Sequence, residues 1–495
     1  MGTKKTLEMK NLIRNTFLVL LMSVFSCSGI LDEVPKDFIS SANFYQNEAD
    51  AEAAIAAAYG VLNSDQYGIT WYLMMTIHAD YVNGRGSQQP IGVYSELLNS
   101  QNIGRCASIW TELYEGINRA NAVLDNVPDI TDISEPVKER ILAEAHFLRA
   151  FHYYNLVRAF GPVPLRLNES TDLSGLAVAR QSEDIIYDFI IEEALIAEAV
   201  LPGGYPNPTS QTARASVWAA KMLLASVYLT LEQWDLARDK AEEVINGGAF
   251  SLVEVSTSDD FYNIFGEELD SNPEDIMCVN NTDFFRSQIP QYTQRAGTPY
   301  NNGGFYAWLP EMNSFLGSWD TNDLRRDFNI YTEYVNSNGD TVQLPSSSPV
   351  LFKKFTNKSG LANVNIPIFR YTEAYLIYAE AASQANGGPT NQALEYLNTI
   401  RRRAYGFDPY TISAVDYPTG MTAQQFQDTV LQERAYEFVL EGRRWWDLKR
   451  TGKAKEVIES VHGAPFLEER LLWPIAEDEI NNNPLINQED QNPGY

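Results

Sequence analysis

From Glu135 to Phe160 the chain reads as one long helix that is apolar nearly all the way round, and this is the feature that most constrains the fold. Ile141, Ala145, Leu148, Leu156 and Ala159 form one stripe, while Phe147, Phe151 and Tyr154 form a second. A helix apolar on two faces belongs in an interior, with other helices packed around it. The sequence supplies them, because residues 49–63 and 108–126 are dominated by helix formers with proline only at their edges. Gly161-Pro162 stops the long helix. With 495 residues and 44% hydrophobic content there is ample material for a large core.

Further along, the spacing becomes more specific. Ala225 and Tyr228, followed by Ala237, Ala241 and Val244, fall at the offsets of a tetratricopeptide unit near 213–246. Small residues at the crossing let two antiparallel helices approach, and Tyr228 fills the space beside the turn at Trp234-Asp235. A looser pair lies within 369–404, joined by Asn386-Gly-Gly-Pro389. Two such pairs make a helical-repeat scaffold that other helices must complete. Between them, about 251–366, Asn, Asp, Gly, Ser, Thr and Pro clusters with frequent aromatics mark a loop-rich insert.

The first residues differ in kind. Lys4, Lys5, Lys10 and Arg14 precede the apolar run 17–25, which is shorter than the ~20 residues a spanning helix needs. That is the order of an export signal. Val24-Phe25-Ser26-Cys27 resembles a lipobox, so residues 1–26 are expected to be a lipoprotein signal peptide and Cys27 to carry the lipid anchor. Acyl chains, each buried CH₂ contributing about 0.8 kcal/mol, would then hold a single domain, 27–495, to the membrane. Charge would not: 65 acidic against 37 basic residues give a net −28, which repels anionic headgroups and argues against a nucleic-acid partner. Besides Cys27 only Cys106 and Cys278 occur, so a bridge between them is open but unforced. His78, His146, His152 and His462 are scattered, the nearest two lying six apart, and neither a metal-ligand motif nor a cofactor motif is present.

Four segments carry a resemblance. They are CSGILDEVP at 27–35, AEAHFLRAF at 143–151 running on to FGPVPL at 160–165, QERAYEFVLEGRRWWDLKRTG at 432–452, and LWPIAEDEINNNP at 472–484 with the closing NPGY. In this order they make the chain similar to the SusD/RagB family of outer-membrane nutrient-binding lipoproteins over almost its whole length. The resemblance implies a mostly α, SusD-like fold with tetratricopeptide-like helix pairs and a variable binding face. It also implies a surface-exposed, lipid-anchored position on the outer membrane and a SusC-like TonB-dependent transporter as partner. Such proteins generally capture glycans or oligosaccharides, some relatives capture peptides, and the family reading implies no enzyme activity. Within the third segment, Arg443 and Asp447 on a helix would stand one turn apart and can pair; Trp445 and Trp446 read as core wedges.

Sugar recognition needs flat aromatic faces for the C–H side of a pyranose and planar polar groups for its hydroxyls. Two stretches offer both. One, 67–86, holds Trp71, Asp80 and Arg85; the other, 292–319, holds Tyr300, Tyr306 and Trp308 around Gly303-Gly304. These six are the expected ligand-binding residues, chosen by type. The leading expectation is a glycan receptor without catalytic residues. Its rivals are a surface glycoside hydrolase, requiring two carboxylates ~5–9.5 Å apart, and a pure protein-binding scaffold.

Overall fold

The computed structural model describes residues 44–64, 70–171, 177–205, 212–267, 269, 271–280, 293, 295, 298–299, 304–310, 313–355 and 364–495. The fold below is that of the described residues from 47 onward, which form one compact unit. The expected signal peptide, 1–26, and the expected anchor at Cys27 lie outside the described residues. No helix among the described residues is long and apolar enough to cross a membrane.

The unit is mostly α-helical. Its main helices are α1 (Glu48–Gly60), α2 (Tyr72–Ile77), α3 (Ser100–Asn126), α4 (Glu135–Phe160), α5 (Glu183–Val200), α6 (Val217–Thr230) and α7 (Trp234–Asn246), then α8 (Tyr371–Asn386), α9 (Asn391–Ala404), α10 (Ala423–Glu437) and α11 (Arg444–Arg450). As its sequence demands, α4 is enclosed: it packs against α1, α3 and α5, and Phe147, Leu148 and Leu156 are fully buried. Each such side chain contributes about 1.5–3 kcal/mol by leaving water. Gly161, at φ 71°, ends the helix by donating its N–H to Val157 O at 2.9 Å. Helix α3 starts eight residues earlier than its composition suggests, because Asn99 Oδ1 accepts the N–H of Asn102 and caps Ser100.

The two tetratricopeptide-like pairs, α6–α7 and α8–α9, stack directly through α7 and α8. Ala225, Ala237, Ala241 and Val244 have no exposed surface, and Tyr228 is buried beside the turn. The second pair begins later than its composition implies. Ile366–Arg370 is a strand, β10, and the helix starts only at Tyr371. The reason is pairing: β10 runs antiparallel to β4 (Asp275–Val279), and every residue of both strands is buried. This ribbon closes the two ends of the insert on each other, so the insert projects from a fixed base.

Another correction concerns 432–452, which is not one helix. The chain breaks between α10 and α11, where Leu440 (φ 61°) and Gly442 (φ 70°) both take left-handed backbone. A Cβ on Gly442 would lie 3.3 Å from Met75 Cβ, so α2 approaches closest where no side chain intervenes. The break also re-pairs the charges. Arg443 meets Glu373 at 3.1 Å, and Asp447 is held by Arg434 and Arg450, each at 2.8 Å, so the pairing open to Arg443 and Asp447 on a continuous helix is not made. Trp445 and Trp446 are buried, as the sequence indicates. Cys106 and Cys278 are both buried free thiols.

Candidate functional site

The chain leaving α2 is pinned before it reaches the surface. Tyr81 stacks on Phe315 with centroids 3.9 Å apart, and its carbonyl accepts from Asn313 Nδ2 at 2.9 Å. Strand β1 (Asn83–Gly84) then pairs antiparallel with β5 (Ala307–Trp308), Asn83 opposite Trp308 and Gly84 opposite Ala307. Gly84 is required by space, since a Cβ there would lie 2.4 Å from Gln88 O. The pairing continues as Arg85 donates its N–H to Tyr306 O at 2.8 Å, and Leu309 donates to Val350 O at 3.0 Å. The two stretches singled out from the sequence, more than 200 residues apart, are therefore joined by backbone hydrogen bonds.

Beneath and beside this ribbon Phe305, Tyr331, Leu344 and Leu351 form a buried apolar cluster, against which Trp308 and Tyr334 pack half-buried. The Arg85 guanidinium lies 4.5 Å over the Phe305 ring and donates to Phe305 O at 3.4 Å, while the rest of the side chain is exposed. Arg295 donates its backbone N–H to Tyr331 Oη at 3.4 Å. Arg105, from α3, donates to Ser87 O at 3.3 Å and Ser87 Oγ at 3.1 Å. The result is an aromatic platform with the Arg85 guanidinium at Phe305, built on a ribbon that cannot slide without breaking its register.

Of the six expected ligand residues, Arg85, Tyr306 and Trp308 come together here. Tyr300 lies outside the described residues. Two others are corrected. Trp71 is only 7% exposed, stacked on Trp446 at 5.9 Å and edge-on to Trp473 at 5.8 Å, so aromatic packing consumes its faces. Asp80 is 3% exposed, and both its oxygens are taken by Arg444, at 2.7 and 3.0 Å. Trp71 does line a cavity with Trp446, Arg158 and Arg443, whose ≈60 Å³ holds a few waters at about 10–15 Å³ each.

Tyr334 and Phe305 escaped the sequence reading. Tyr334 sits on β7 (Glu333–Val335), which forms a hairpin with β8 (Thr341–Gln343). The signal was present in Asn338-Gly339, an Asn-Gly step between short alternating runs, with Gly339 at φ 87°. Phe305 had no such signal, because only the fold puts it under Arg85. Among the described residues no group of three or more His, Cys, Asp or Glu is placed to hold a metal ion.

Comparison with known proteins adds three findings. A family model described as the SusD family matches residues 313–495, and one described as "Starch-binding associating with outer membrane" matches residues 31–229. A SusD-like protein of Formosa agariphila is 26% identical over 550 residues, covering 99% of this chain and 100% of the relative. Among solved structures, a SusD homologue from Bacteroides thetaiotaomicron superposes with a TM-score of 0.77 at 22% identity, over 92% of this chain and 98% of its own. A laminarin-binding SusD-like protein does so at 0.73 and 24% identity, over 91% and 100%.

Proposed function

The chain belongs to the SusD/RagB family, and from that membership we propose that it captures a glycan on the Trp308 platform at the cell surface and hands it to a SusC-like TonB-dependent transporter. Carbohydrate binding is supported by the starch-binding description of the matching family and by the laminarin-binding relative of the same fold. The observation that carries the reading is the β1–β5 ribbon, which presents Trp308, Tyr334 and Arg85 together on a rigid support. Half-buried aromatic rings offer the apolar side of a sugar a flat face, while the planar guanidinium reaches its hydroxyls. The signal at 1–26 and Cys27 complete the proposal as a lipid tether to the outer membrane, which the mass of the mature chain decides.

The same reading has the protein bind without cleaving. A hydrolase needs two carboxylates flanking one bond with a sugar between them. One carboxylate cluster in the described residues, Glu433, Glu437 and Glu441, is buried and held by Arg325, Arg370, Arg403 and Lys354, which leaves it no room for a substrate.

Replacing Trp308 by Ala tests the platform. Retardation in glycan-containing gels is expected to weaken about tenfold, as for an aromatic anchor, with melting nearly unchanged because the ring is only half-buried. Intact binding with a large loss of stability would return Trp308 to the core, and release of reducing ends from the glycan by the unmodified protein would make it an enzyme.

A further inference from the structure

The break between α10 and α11 borders the ≈60 Å³ cavity that Trp71 lines, and α4, α6 and α8 complete its walls. Four arginines face it: Arg158 from α4, Arg434 from α10, Arg443 in the break and Arg450 from α11. Two of them are not satisfied. Arg434 is 4% exposed, and its Nη1 is buried with no hydrogen-bond partner among the described residues; Arg443 Nε is buried in the same condition. Single guanidinium nitrogens without a partner occur elsewhere, as at Arg166 and Arg403, but here two belong to the walls of one cavity. A buried donor left unmade is costly, and more so on a charged group.

The carboxylates on the described walls, Glu373, Glu441 and Asp447, are all engaged. Glu441 is held by Lys354 and Arg370, which lie outside the walls. Asp447 accepts from Arg434 Nε and from Arg450. Glu373 meets Arg443 at 3.1 Å and lies 3.6 Å from Arg434. With Glu441 balanced from behind, and Arg450 balanced by Glu380, Arg158, Arg434 and Arg443 remain against Glu373 and Asp447. Arg158 adds no carboxylate of its own: it lies 3.8 Å over the Tyr154 ring and 4.6 Å over that of Trp446, with Nε donating to Tyr154 O at 3.2 Å. One positive charge is left over in a place shielded from solvent.

We propose that this cavity is a binding site for a small monovalent anion of the chloride class, held by Arg434 Nη1 and Arg443 Nε. Water can accept from both donors, but it brings two protons of its own to walls whose carboxylates are already taken. An anion only accepts, and it cancels the surplus charge where low dielectric makes that charge strong. The ion would tie α10 to the far side of the left-handed break, since its two ligands stand on either side of Leu440 and Gly442. Access runs past Arg158, which also lines a neighbouring cavity of ≈240 Å³ together with Thr230, Trp446 and Arg450.

The test uses the full chain. Crystals grown in sodium bromide are expected to show an anomalous bromide peak in the cavity, within hydrogen-bond reach of Arg434 and Arg443. At constant ionic strength, replacing sodium methanesulfonate by sodium chloride is expected to raise Tm by about 1–3 °C, and Arg443→Gln is expected to lose that dependence; should the variant fail to fold, the bromide map decides alone. Ordered water in the cavity with no bromide signal would overturn the proposal. So would a bromide peak there with melting indifferent to chloride, which marks occupancy at crystal concentration only.

Discussion

Asp80 and Arg444 meet in a two-pronged ion pair, Nε to Oδ1 at 2.7 Å and Nη2 to Oδ2 at 3.0 Å, with less than a tenth of either side chain exposed. Removing one partner of such a pair strands a buried charge and typically costs about 3–5 kcal/mol. Asp80→Ala is therefore expected to lower the urea midpoint substantially at neutral pH, while protein that remains folded still binds glycan through Trp308. Loss of binding with stability unchanged would restore Asp80 to the ligand surface. The exposed pair Arg119–Glu115 has the same chemistry and a different consequence, because solvent screens it to about 0.5 kcal/mol or less. Burial, and not residue type, sets the role of each carboxylate. Glu437 shows the limit: burial pushes its carboxyl up, yet Arg403, Arg370 and Arg325 outweigh that and hold it well below the ordinary range.

At the scale of elements, the contact that sets the spacing of α3 and α4 is Gly116 against His152. A Cβ at Gly116 would fall 2.3 Å from His152 Nε2, and the ring is fully buried with nowhere to swing. Gly116→Ala should force the helices apart and cost about 1–3 kcal/mol, as overpacking does, although alanine is the better helix former by about 1 kcal/mol. Thermal melting decides it; an unchanged or raised Tm would mean that the interface relaxes freely. The insert obeys a different rule. Its elements are too short to be stable alone, with β5, β6 (Ile330–Tyr331) and β9 (Leu351–Phe352) two residues each, so their stability comes from the β4–β10 base, the pairing with β1 and the apolar cluster.

For the molecule as a whole, two buried histidines make folding sensitive to acid. Burial pushes His152 down to about 3. Burial, with Arg470 nearby, also holds His78 well below the ordinary value of 6.5, and Trp473 Nε1, which can only donate, points at His78 Nε2 at 3.3 Å and so favours the unprotonated ring nitrogen. Unfolding frees both to bind protons, so their contribution is complete above pH 6.5 and is lost as pH falls toward the folded values, about 1.4 kcal/mol per unit for each histidine. Asp275 runs the other way. Burial raises it to about 6, and it offsets one histidine between about pH 6 and 4. The urea midpoint is expected to hold down to about pH 6.5 and then decline to pH 5, well before Glu437, Glu441 and Asp447, all held low, begin to protonate. A flat or rising midpoint over that range would mean that neither histidine stays neutral in the fold.

What the sequence determined by itself is whatever depends on near neighbours in the chain. Apolar periodicity fixed α4 as an interior helix, small residues at regular offsets marked α6–α7, and Gly161-Pro162 set a boundary, because each rests on contacts within a helix or between adjacent ones. The string QERAYEFVLEGRRWWDLKRTG announced its importance in the same way, as a run of charged and aromatic residues that no solvent-exposed helix requires. What only the tertiary structure decided is which polar groups are consumed. Asp80 and Arg85 are five residues apart and equally polar, yet Arg444, more than 360 positions away, takes one and leaves the other over Phe305. Trp71 and Trp308 were alike as candidates, until Trp446 and Trp473 closed over the first. A long-range partner leaves no trace in local spacing, so the platform became visible only when β1 met β5.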